Sequence, residues 1–216
     1  MKHSLVTRVL HLLVAGAIVL QLADSQLMRV PRPGRIPTGT EAAAFTLHEY
    51  AGLVSMAIVA LFWLWILLRR QGTSLGRLFP WFSRQRLAGL REDVMLHVRC
   101  AARLTLPDPE HSNALSSAIQ GVGLALVLVM AATGTAGYAL WTEGTAMTGL
   151  THALFEVHGT LANVVWGYLI VHVGAALLHE MLGHRMLYQM SPTPHAGAGM
   201  KGSPRLRIAD AGGLRK

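Results

Sequence analysis

The sequence has one cysteine, Cys100, in 216 residues. That excludes an internal disulfide, a paired-thiol motif and the CxxCH signature of covalent haem attachment. Charge is scarce as well: 14% of the residues are charged, where soluble domains carry about 25%. Carboxylates are scarcer still, 11 against 19 lysines and arginines, and none falls in the middle of an apolar run; Glu49 and Glu180 lie near run ends. A transporter of protons or metal ions would favour broken helices and intramembrane carboxylates, so these absences weigh against that class.

What fills the chain is hydrocarbon. Hydrophobic residues make up 52% and the mean hydropathy is +0.40. Four stretches, near 5–22, 45–68, 119–140 and 154–178, are apolar over the ~20 residues that a bilayer-crossing helix needs. Lipid offers no partner for backbone groups, so these stretches must be helical. The expected fold is an all-α membrane protein, a bundle of four transmembrane helices.

The net charge of +8 does not mark a nucleic-acid partner, because the basic residues are placed by loop. Arg29, Arg32 and Arg35 fall between spans 1 and 2, and none falls between spans 3 and 4. Eight arginines crowd residues 69–103, and six basic residues lie from Arg185 to Lys216. This bias predicts that both termini and the middle loop are cytoplasmic, where part of the surplus can meet anionic headgroups. The start, "MKHSLVTRVLHLLVAGAIVLQLADS", has the basic-then-apolar order of a signal peptide. Its apolar part is long, Arg8 and His11 interrupt it, and no A-x-A site follows, so a retained span is expected.

The spans form two hairpins. "RVPRPGRIPTGTEAAAF" is a turn-rich external loop. In the 69–113 segment, Leu87, Leu90, Val94, Val98 and Ala101 recur at helical spacing beside Arg86, Arg91, Glu92 and Arg99. Two placements suit such a helix: lying on the inner leaflet, or packed on the ends of spans 2 and 3. The membrane domain is expected to occupy 1–181, with residues 190–216 a basic, disordered cytoplasmic tail.

The chemistry lies in the histidines. A charged side chain at mid-membrane costs roughly 2.5–3.5 kcal/mol on insertion scales, so an ionisable residue there is a functional candidate. His158 and His172 stand 14 residues apart in span 4, a rotation of only about 40° and a rise of about 21 Å. One helix face thus offers two ligands, one toward each leaflet. Depth pairs His172 with His11 of span 1, and His158 with His48 of span 2. Opposed imidazoles without sulfur or carboxylate between them suit the axial positions of haem iron; a closed zinc site wants four ligands in a tetrahedron.

Other residues fit around these pairs. Gly52, one turn after His48, leaves room for a flat macrocycle. Gly121, Gly123, Gly134 and Gly137 do the same or allow close helix packing. Arg8, one turn before His11, is placed for a charge-assisted bond to a haem propionate or snorkels to the interface. His179 lies seven residues past His172 and suits a quinone carbonyl, a propionate or the interface. Trp166, between the two levels, suits packing. "HEMLGH", His179 to His184, is not a zinc-protease motif, because that needs histidines four apart on one face.

"RVLH" in span 1, "HEYAG" in span 2, "MAATG" in span 3 and "HGTLANVVWGYLIVHVGAALLHE" in span 4 carry a resemblance. Over about residues 5–181 the chain resembles the bacterial cytochrome b561 and nickel–iron hydrogenase b-type cytochrome family. The resemblance implies a four-helix bundle in the bacterial inner membrane holding two non-covalent b haems, on His11 with His172 and His48 with His158. It further implies electron transfer between the membrane quinone pool and a redox partner, such as a c-type cytochrome or a dehydrogenase or hydrogenase subunit. Some members act as quinone-linked superoxide oxidases. The chain departs from the family pattern at Leu12, where many members have Trp, at Gln120, where members often have a non-ligating His, and at Phe62, where many have Arg.

Overall fold

The computed structural model describes residues 4–70, 72–103, 105, 107, 114–143, 145–182 and 190. The tail from 191 onward and His184 lie outside the described residues. Among those described, every regular element is helical. α1 spans Leu5–Asp24, α2 Gly39–Leu68, α5 Ala114–Leu140 and α6 Gly149–Met181; all four are long and apolar enough to cross a membrane. Between α2 and α5 lie a single turn α3, Leu75–Leu78, a 3-10 turn at Pro80–Phe82, and α4, Arg84–Ala101.

The helices outrun the apolar stretches that predict them. α2 begins at Gly39 and α6 at Gly149, both in the left-handed region with φ +57° and +53°, which glycine adopts without a side-chain clash. α2 has 30 residues, about 45 Å of helix, against a hydrocarbon core of about 30 Å. Its ends therefore stand clear of the lipid interior. In the first loop Pro33 and Gly34 turn the chain, with Arg32 and Arg35 exchanging backbone bonds of 2.9 and 3.1 Å and Gly34 at φ +80°. Proline second and a positive-φ glycine third are what a type II turn requires.

Packing runs in series: α1 on α2, α2 on α5, α5 on α6. α6 has one buried residue, Val165. α1 starts on Ser4, whose hydroxyl accepts from the Thr7 amide. At that end of the bundle Phe62, Ile66 and Leu78 form the core cluster, with Leu10, Val14, Trp65, Phe79 and Leu124 around it. α3 closes this end by laying the Leu78 backbone against Gly121, where no side chain fits. At the opposite end Trp141 meets Phe45 and Phe155 edge-on, at ring separations of 6.3 and 5.7 Å.

α4 packs on the bundle, against α5. The Asp93 carboxylate, 8% exposed, accepts the Leu115 amide at 2.9 Å and so caps the start of α5. Leu87, Val94 and Val98 face outward. The helix is pinned to the bundle by one face and leaves these apolar side chains exposed.

Candidate functional site

Two cavities lie between α6 and the other long helices, stacked along the bundle. The larger, of about 290 Å³, is lined by His48 and His158 along with Gln21, Gly52, Met130 and Gly134. The smaller, of about 150 Å³, is lined by His11 and His172 along with Thr7, Arg69, Gln120 and Tyr168. Val14, Ile18, Val127 and Val165 line both, so the partition between the cavities is aliphatic. Trp166 lines neither.

In each cavity the histidines face one another. The His11 and His172 ring centres are 6.3 Å apart, and those of His48 and His158 are 6.2 Å apart. An imidazole nitrogen binds a transition metal at about 2 Å and lies about 1.1 Å from its ring centre, so two rings holding one ion from opposite sides stand about 6.2 Å apart. The observed separations match. The ring planes are inclined at 52° and 86°. Axial ligands stand normal to a planar macrocycle and leave the angle between themselves free, so both values fit. The residues present therefore fit a haem in each cavity.

Hydrogen bonds orient the larger site. The Nδ1–H of His158 donates to the Met130 carbonyl at 3.1 Å, with the Thr133 hydroxyl at 3.2 Å. The Nδ1–H of His48 donates to Asp24 Oδ1 at 2.8 Å. Each ring thereby commits Nδ1 and keeps Nε2 as a lone-pair donor, the arrangement usual in metal-ligating histidines. A Cβ at Gly134 would stand 2.8 Å from His158 Cε1, so this glycine makes room for the ring rather than only for α6. At Gly52 the corresponding space holds the Gln21 amide, 2.8 Å from a Cβ built there. Gly52 lines the cavity, with Gln21 beside it.

In the smaller site His172 stacks on Tyr168, one turn earlier on α6, with ring centres 5.4 Å apart and planes 11° apart. The Tyr168 hydroxyl donates to the Ile119 carbonyl at 3.3 Å and fills the space against Gly123. The cation lining this cavity is Arg69, whose guanidinium donates to Thr7 Oγ1 at 3.3 Å and to the Thr73 carbonyl at 2.9 Å. Trp65 Nε1 donates to the same Thr7 hydroxyl at 3.0 Å. Arg8 and His179 line neither cavity.

Asp24, Arg69, Tyr168 and Gln21 are the site residues that sequence reasoning missed. One signal for Asp24 was present. If His11 is level with His172, then a residue 14 further along α1 is level with His158, and Asp24 is next to that position. Because the expected span stopped at Leu22, the carboxylate was placed outside the membrane helix.

Four membrane helices with facing histidines paired at two levels are the architecture of a membrane b-type cytochrome. Among the described residues no three His, Cys, Asp or Glu side chains converge as a metal cluster would require, so the donors come as pairs. Comparison with known families agrees: the family model for prokaryotic cytochrome b561 matches residues 2–192. The chain belongs to the prokaryotic cytochrome b561 family, membrane proteins that bind haem b and transfer electrons. Comparison with curated proteins and with solved structures gives no match.

Proposed function

We propose that this protein holds two b haems, one per cavity, and passes electrons between a redox partner and the membrane quinone pool. His11 and His172 would ligate one iron, and His48 and His158 the other. The haems supply one-electron redox chemistry; the chain supplies the ligands, the dry surroundings and the docking surfaces. Arg69, anchored by Thr7 and Thr73, is placed to hold a propionate of the His11/His172 haem by charge-assisted bonds. The residues that line both cavities, Val14, Ile18, Val127 and Val165, put aliphatic surface between the sites.

One observation carries this reading: both cavities hold two imidazoles at the separation that a single bound iron imposes. The test is haem stoichiometry. Purified full-length protein, made with ample haem supply, should contain two non-covalent haems b per chain. His158→Ala and His172→Ala should each lose one and retain the other. One haem per chain in the unmodified protein, or none, would overturn the proposal. Oxidation or reduction of the bound haems by a soluble quinone analogue checks the quinone half separately.

A further inference from the structure

We propose that Asp24 is a positioning residue for the haem at His48 and His158: its carboxylate fixes the His48 ring through Nδ1 and lowers the reduction potential of that haem alone. The proposal rests on the two-haem reading above.

Asp24 is the last residue of α1 and is 4% exposed. Its Oδ1 accepts from His48 Nδ1 at 2.8 Å, while its Oδ2 is buried with no hydrogen-bond partner among the described residues. One turn earlier on α1, Gln21 Nε2 donates to the His48 backbone carbonyl at 3.1 Å. α1 therefore grips His48 twice, once by the ring and once by the backbone, across a loop that separates the two residues by 24 positions.

A buried carboxylate with one oxygen unsatisfied is strongly disfavoured unless positive charge lies close by. Among the described residues its ion-pairing partner is His48. An iron in its ferric state, bound to Nε2 on the far side of the ring, would supply a positive charge held through the ring itself. A carboxylate hydrogen-bonded to Nδ1–H also draws on that proton and makes the imidazole a stronger donor to the metal. Both effects favour the ferric over the ferrous state. His158 lacks this push, since its Nδ1 meets a neutral carbonyl. The other haem stands about 21 Å away along α6, where the Asp24 charge acts weakly.

The experiment is a spectroelectrochemical titration of the purified full-length protein and its Asp24→Asn and Asp24→Glu variants, with electron paramagnetic resonance of the oxidised forms. Asp24→Asn should raise one midpoint potential and shift one of the two low-spin ferric signals, leaving the other haem unchanged. Asp24→Glu should restore values near the parent. Loss of one haem in Asp24→Asn, recovered in Asp24→Glu, supports the proposal as well. Two haems with unmoved potentials and signals in Asp24→Asn would overturn it, as would an equal shift of both, or loss of both haems in both Asp24 variants. A parent protein that fails to bind two haems defeats the two-haem reading instead, before any substitution is made.

Discussion

At the scale of single residues, the facing histidines are held as well as paired. His48 rests on a carboxylate, His158 on a carbonyl, and His172 on the face of a tyrosine. Such support matters because a ligand ring must be locked near its productive geometry before the cofactor arrives. Gly134 gives a direct check. Its Cβ would crowd His158 Cε1 at 2.8 Å, and the ring is tethered at Nδ1 and cannot swing away without losing the Met130 bond. If the protein holds the two haems proposed, Gly134→Ala is expected to remove or weaken one of them, read as a fall toward half the haem per chain with the other haem's spectrum retained. Pairing of the four histidines was legible in the sequence because depth along a helix follows from counting residues. What counting does not give is rotation about the axis and the reach of side chains across a loop. Arg69 and Tyr168 were invisible for that reason: both lie one or two turns from recognised positions, yet only the packing of α2 and α6 turns them into the smaller cavity.

At the scale of elements, hydropathy marked all four long helices, and their true ends were set by other chemistry. α2 and α6 extend past their apolar runs to glycines at positive φ, and α1 extends to a carboxylate that accepts from a histidine of another helix. The spacing of Leu87, Leu90, Val94 and Val98 revealed α4, whereas its anchor, Asp93, carries no periodic signal. The first amides of any helix lack internal partners, and the Asp93 carboxylate answers one of those on α5 at a favourable dipole end. Removing such a cap costs about 1 kcal/mol, which for a chain of this size is about 2–4 °C. Asp93→Ala should lower the unfolding temperature in detergent by that amount while leaving the haem spectrum of the folded protein intact.

At the scale of the whole molecule, the charge bias of the loops predicts that the α3–α4 segment and both termini lie on the cytoplasmic side. The single cysteine offers a native reporter, since Cys100 lies near the end of α4 and is partly exposed. A membrane-impermeant maleimide should label it only after the cells are permeabilised. Labelling of intact cells would reverse the orientation.

The aliphatic wall formed by Val14, Ile18, Val127 and Val165 has an electrical meaning. None of these four side chains can carry a proton, so in the proposed two-haem protein an electron passing between the haems would have no proton relayed through them. Over about 21 Å of a hydrocarbon slab about 30 Å thick, that hop would do work against, or draw work from, the membrane voltage. A full crossing corresponds to about 2.3 kcal/mol per 100 mV. In the proposed two-haem protein the voltage is therefore a term in the driving force, and the same pair of haems would run more readily in one direction than the other in an energised cell.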